Sequence, residues 1–197
     1  MNNKLTNYKL QTTGYKKEGY TLIEVLVAIA MFSTAITIAT SFFISSLRSQ
    51  NRALSVRETI DNTSHVMEYI TRALRMARKD KDGSCITTKT NYEITRGGKG
   101  IKFENYQETP VCQELYWEVN DNRIYESKDG AVGLPLTSSD LEVTLFQFKL
   151  SGELQSDNEQ PRVTVLLGVA KKGPSGPSFS KIRSQTTVSQ RNLDVMR

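Results

Sequence analysis

Glu24 is the residue whose position most demands an explanation. It is the single charge between Gly19 and Arg48, and the run from Val25 to Leu47 contains no charge, no Pro and no Gly. A carboxylate held in an apolar membrane segment costs at least ~2.5 kcal/mol unless something pairs with it. Its partner is therefore expected outside this chain. The other residues able to do chemistry are few. Cys85 and Cys112 are the only cysteines, and His65 is the only histidine. His65 sits beside Val66 without a ligand-spaced companion, so it reads as a residue of a helix face. Asp80-Lys81-Asp82-Gly83 has some of the character of a calcium loop, but the glycine comes too early and no bidentate glutamate follows at the required distance. It reads better as a polar turn closing a helix. No catalytic triad, no phosphate-cradling glycine loop and no metal cluster is present in the pattern, so no catalytic residue, cofactor or metal is expected. The chain is expected to be no enzyme.

Long elements must carry these residues. A helix over the uncharged run is roughly 34 Å long, enough to cross a bilayer core of about 30 Å. Beyond Arg48 the chain stays free of Pro and Gly to Arg78. There Ile60, Met67, Ile70, Leu74 and Ala77 recur at helical spacing, widened by Val66 and Ala73. Arg57, Asp61, Glu68, Arg72 and Arg75 fill the other side. One helix is expected from Tyr20 to about Arg78, hydrophobic all round in its first half and amphipathic in its second. After Gly83, runs rich in β-branched and aromatic residues alternate with turn residues: 85–88, 92–95, 101–103, 114–119, 123–126, 141–150, 162–170 and 179–190. Asn120-Asp121-Asn122 reads as a hairpin turn. The imperfect alternation over 141–150, with apolar residues on both faces, suggests a strand covered by the helix on one side and partly covered on the other. The most economical assembly is an antiparallel sheet packed on the amphipathic half of the helix. The segment 171–178, with two Pro and two Gly, reads as a loop, and 192–197 is left unassigned.

Charge needs locating before it is used. The chain carries a formal +5, but the first nineteen residues hold Lys4, Lys9, Lys16 and Lys17 against Glu18. From Tyr20 onward there are 22 basic and 20 acidic residues, and from 82 onward 14 basic and 15 acidic. A nucleic-acid partner thus has no support in the charge balance, and the cluster Arg72, Arg75, Arg78, Lys79, Lys81 reads as a solvated face near a helix C-terminus. Positive residues ahead of the span put the N-terminus inside and residues from Arg48 outside. Cys85 and Cys112 then fall in an oxidising compartment and are expected to pair, contributing about 3 kcal/mol in the chain-entropy model. Ala28-Ile29-Ala30 also reads as a signal-peptidase site, but the apolar run continues well beyond it.

Lys16-Lys17-Glu18-Gly19 followed by Tyr20-Thr21-Leu22-Ile23-Glu24-Val25 resembles the leader junction of type IV prepilins and type II secretion pseudopilins. The resemblance covers about a tenth of the chain. It departs from the family pattern at Tyr20, where Phe is commoner, and at Glu18, where a basic or neutral residue is usual. It implies cleavage after Gly19 by prepilin peptidase, N-methylation of Tyr20, and pairing of Glu24 with the Tyr20 amine of a neighbouring subunit. The implied division is a leader over 1–19, a long helix over 20–81 (transmembrane 20–47, amphipathic 48–81) and a β-rich head over 82–197. This is an α+β, pilin-like lollipop in which helix and antiparallel sheet pack together. The head size and a looser resemblance around Leu136–Val143 and Arg162–Val165 suggest a minor pilin or minor pseudopilin. The implied partners are the peptidase, other pilins or pseudopilins, an assembly platform protein and its ATPase, and the membrane before assembly. The implied location is the cytoplasmic membrane, single-pass, and then a cell-surface or periplasmic filament. The competing reading is a membrane-anchored binding module, an adhesin or a DNA-uptake receptor.

Overall fold

The computed structural model describes residues 19–106, 109–153, 159–172 and 181–191. The expected leader up to Glu18, the loop at 173–178 and the tail at 192–197 lie outside these residues. The chain divides into two compact units, Met1–Arg48 and Ser49–Arg197. One helix, α1, runs over Leu22–Arg75. Among the described residues nine strands follow: β1 Ala77–Arg78, β2 Glu93–Thr95, β3 Gly100–Tyr106, β4 Pro110–Glu118, β5 Arg123–Lys128, β6 Leu134–Pro135, β7 Leu141–Ser151, β8 Arg162–Lys171 and β9 Lys181–Ser189. The α+β class with one long N-terminal helix and antiparallel strands is as expected.

In the first unit α1 is apolar all round. Leu22, Ile23, Phe32, Ile38 and Phe42 are all exposed. Four of its hydroxyls are satisfied within the helix: Thr34 donates to the Met31 carbonyl, Thr37 to Ser33, Thr40 to Ile36 and Ser41 to Thr37, each at 2.8 Å. Such back-bonding removes the cost of a polar group in an apolar medium. The helix is long and apolar enough to cross a membrane.

In the second unit the buried stripe of α1 is Thr59, Thr63, Val66, Met67, Ile70, Ala73 and Leu74. Ile60, expected to be part of that stripe, is 46% exposed. Two threonines take its place because Thr59 and Thr63 hand their hydroxyl protons to the carbonyls of Ser55 and Thr59. Once so bonded, a threonine presents its methyl group to a core at little polar cost.

Helix α1 ends at Arg75, earlier than the 78 to 81 expected from composition. Ala77 and Arg78 leave it to pair with Asn105 and Glu104 of β3. The last carbonyls are each satisfied: Ala73 accepts from the Met76 N–H, Leu74 from the Tyr92 hydroxyl at 2.8 Å, and Arg75 from the Arg191 N–H at 2.7 Å. A helix end so fully bonded does not fray.

The strands form two antiparallel sheets rather than one. The first runs β1-β3-β4-β5-β6, with β2 also on β3, and the second β7-β8-β9. The run 136–140 carries the chain out of the first sheet, and Val143 N–H to Asn122 carbonyl is a backbone bond between the two. Both sheets and the helix share one core: Ile70 and Leu74 from α1, Ile101, Phe103, Leu115 and Ile124 from the first sheet, and Phe146, Val163, Val165 and Leu167 from the second. Asn122 turns the β4–β5 hairpin in the left-handed region at φ 56°, a conformation asparagine tolerates.

A bulge explains the puzzling pattern of β7. The register shifts between Val143 and Leu145, opposite Gly168 of β8. Leu141 and Val143 face inward before it, and Phe146 inward after it, with Phe148 and Leu150 half-buried in the same phase. One extra residue moves the inward series from odd to even positions. A Cβ at Gly168 would lie 3.0 Å from both Leu145 Cβ and Thr144 Oγ1. Gly168→Val is therefore expected to cost about 2 kcal/mol through overpacking, read as a lower thermal unfolding midpoint. An unchanged midpoint would mean the bulge yields freely.

Candidate functional site

Gly19 and Tyr20 precede α1, and Glu24 lies in its first turn. Thr21 caps the helix: its hydroxyl oxygen accepts from the Glu24 N–H at 3.3 Å, and its carbonyl from the N–H groups of Glu24 and Val25. Thr21-Leu22-Ile23-Glu24 has the spacing of a capping box, a signal readable in the sequence and passed over there. Placed in the first turn, the Glu24 carboxylate also faces the positive end of the helix dipole, worth about 0.3–1 kcal/mol. That softens the penalty for the charge without removing it.

Tyr20, Glu24, Val25, Ala28, Ile29 and Phe32 line one shallow groove along this end of the helix. Tyr20, Glu24, Ala28 and Phe32 form an i,i+4 row, so the small Ala28 leaves space beside the carboxylate. Tyr20 is 81% exposed. The row thus offers a carboxylate, a gap and an apolar rim on a surface without water-seeking neighbours. An arrangement of this kind is suited to pairing with a cation presented by another apolar segment.

In the second unit Cys85 and Cys112 are bonded to each other, with Cα atoms 5.2 Å apart. Cys112 lies in β4, while Cys85 lies in the loop after β1, a stretch expected as a strand. That loop is not a strand because its N–H groups converge on one carboxylate. Asp80, 1% exposed, accepts from the N–H groups of Asp82, Gly83 and Ser84 at one oxygen and of Cys85 and Ile86 at the other. Burial pushes the Asp80 carboxyl up, but the N–H donors outweigh it and hold it below the usual carboxylate range. Asp80 is thus fully engaged by backbone N–H groups. The disulfide fastens the same loop to β4 across β3. The two cysteines are 27 residues apart, so reduction is expected to cost about 3 kcal/mol in the chain-entropy model, seen as a lower melting temperature in reductant. A melting temperature insensitive to reductant would refute that contribution.

His65 is exposed on α1. Aromatic rings and cations do interleave on the first sheet: Arg96 lies 3.6 Å over Tyr116, which stacks on Tyr125 at 5.8 Å. Arg96 is nonetheless neutralised by Glu114 at 3.2 Å and approached by Glu118 at 4.0 Å. At Arg96, therefore, the aromatic surface carries balanced charge.

Residues 15–40 match the family described as the prokaryotic N-terminal methylation motif. No curated protein and no solved structure matches the chain. This motif, with one long apolar helix leading into antiparallel sheets, makes the chain similar to type IV pilins and pseudopilins.

Proposed function

We propose that this chain is a minor pilin-like structural subunit of a type IV pilus or a type II secretion pseudopilus. Prepilin peptidase cuts after Gly19 and methylates Tyr20. The leader 1–19 is then lost, the helix anchors the subunit in the cytoplasmic membrane with residues from Arg48 outside, and the β-rich region from 82 onward becomes the head. Extraction by the assembly platform and its ATPase packs the helix among those of other subunits. The Glu24 carboxylate pairs there with the Tyr20 amine of a neighbour. The reading rests on one observation above the rest: a methylation motif over 15–40 leads into an apolar helix that carries a single carboxylate in its first turn. Two charges stranded in apolar surroundings favour each other strongly, and a wrong stagger leaves both unpaired.

The test is the mature N-terminus, determined by mass spectrometry in cells with and without the peptidase. A methylated Tyr20 that disappears without the peptidase supports the reading. A start after Ala30, or an uncut Met1, overturns it.

A further inference from the structure

Ile60 belongs by spacing to the buried stripe of α1, yet it is 46% exposed. Its direction says why. Tyr69 faces the first sheet, where its hydroxyl donates to Glu126 of β5 at 2.6 Å. Ile60 precedes Tyr69 by nine residues, two and a half turns at about 3.6 residues per turn, so it lies on the opposite flank. There the second sheet runs out. Val143 of β7 is bonded to Asn122 of the β4–β5 turn, and the order β7-β8-β9 leaves β9 farthest from the first sheet. The chain just past β9 is fastened to α1, the Arg191 N–H donating to the Arg75 carbonyl at 2.7 Å. A further strand beyond β9 would lie over Ile60.

Among the described residues β9 is also the least protected edge. The outer strands of the first sheet are short: β1 and β6 have two residues and β2 three, and β6 contains Pro135. On the second sheet β7 carries the bulge and the bond to Asn122. Short length, proline and bulges are the ordinary ways of blunting an edge. By contrast β9 runs 9 residues in unbroken register with β8, without Pro or Gly. Every second residue of such an edge turns its N–H and C=O away from the paired strand. A row of these groups is matched by the backbone of another extended chain. Side chains narrow which chain. Toward the core β9 presents Ile182, Ser184 and Thr186, all only half-buried, so with Ile60 they call for apolar residues in an added strand. Lys181 and Arg183 lie exposed on the other face with no ion pair among the described residues, and call for carboxylates there. A second copy of β9 fits poorly. Paired parallel in register it sets Lys181 beside Lys181 and Arg183 beside Arg183, which is destabilising. Paired antiparallel in one sheet it runs its α1 opposite to the first, which two helices entering one membrane from the same side cannot do. We infer that the free edge of β9 takes up an extended segment of a partner protein as a further strand, apolar on the side of α1 and acidic opposite Lys181 and Arg183. The inference does not depend on the filament reading.

The full-length chain in detergent is mixed with a synthetic peptide as long as β9, 9 residues. The peptide alternates threonine with valine, and glutamate replaces the last two threonines, which fall opposite Arg183 and Lys181 in an antiparallel pairing. A control peptide carries lysine at the same two positions. Amide hydrogen exchange, followed by NMR, is expected to slow at alternate residues of Lys181–Ser189 by about tenfold or more with the glutamate peptide, and by less with the lysine peptide. Ile60→Glu, at an exposed position of α1, sets a charge where the added strand is apolar. It is expected to weaken binding about tenfold with an unchanged melting temperature. Arg183→Glu is expected to reverse the preference between the two peptides. Ile94→Glu, on β2 of the first sheet, is expected to leave binding unchanged. The inference is overturned if neither peptide slows exchange, if both bind equally, or if Ile60→Glu binds as tightly as the wild type. It is equally overturned if the edge amides are already protected in the chain alone, as one of its own segments or a second copy would protect them.

Discussion

Asp80→Asn is expected to destabilise the β-rich unit by about 3–5 kcal/mol, the range for breaking a buried hydrogen-bonded charge network. Five backbone N–H groups converge on this carboxylate, three on one oxygen and two on the other. An asparagine keeps one oxygen and turns an NH2 toward the remaining donors, so at least two N–H groups lose their acceptor. Those of Cys85 and Ile86 are in buried residues. The loop 80–86 would loosen, and with it the protection of the Cys85–Cys112 bond, so the variant should also be reduced faster by dithiothreitol. The pH dependence has a definite sign. The Asp80 pKa is lowered in the folded chain, against about 3.9 when unfolded. Its stabilisation is complete above about pH 5 and is lost as pH falls through the folded value. The stability gap between wild type and Asp80→Asn should therefore be constant near neutrality and close on acidification. Melting curves from pH 7 to pH 3 check this, and a gap that widens toward acid would refute it.

The same residue shows where the sequence stops being readable. Asp80-Lys81-Asp82-Gly83 was legible as a polar turn, because Gly and Asp are turn-forming by local preference, but not as the helix end it was expected to be, since the helix stops at Arg75 and β1 lies between them. That a carboxylate would be buried and wrapped by the amides of 82–86 was not, since backbone donors carry no sequence signature. The stretch 85–88 looked like a strand for its β-branched residues, yet its N–H groups were already committed to Asp80. The bulge in β7 was visible only as an irregularity, apolar residues in both phases, and needed Gly168 opposite to become intelligible. By contrast the long apolar helix and the methylation motif over 15–40 were legible, because both are local. Thr21, the helix cap, was equally local. The exposure of Ile60 was not, since it depends on where the second sheet ends, which the pairing order of its strands decides.

Glu24→Gln is expected to abolish incorporation of the subunit into filaments while leaving cleavage after Gly19 and membrane insertion intact. The neutral amide has nearly the same shape and can still accept a hydrogen bond, so the change removes charge and little else. In the membrane this is favourable, because the ~2.5 kcal/mol or more for burying the carboxylate disappears. In the proposed filament it would leave the Tyr20 ammonium of a neighbour buried without a counter-charge. Removing one partner of a buried pair costs about 3–5 kcal/mol, a hundredfold or more in each packing equilibrium. Glu24→Asp keeps the charge and shortens the reach, so it should assemble at reduced yield. The placement of Glu24 in the first turn bears on the comparison: the helix dipole supports a carboxylate at that position in both states, so it cannot by itself favour the assembled one. Only a cation arriving from another chain can do that. Filament yield from sheared cells, with membrane-fraction immunoblots and N-terminal mass spectrometry on the same cultures, separates the steps. Filaments containing Glu24→Gln at wild-type yield would remove the pairing role; loss of cleavage instead would move Glu24 from assembly to recognition by the peptidase.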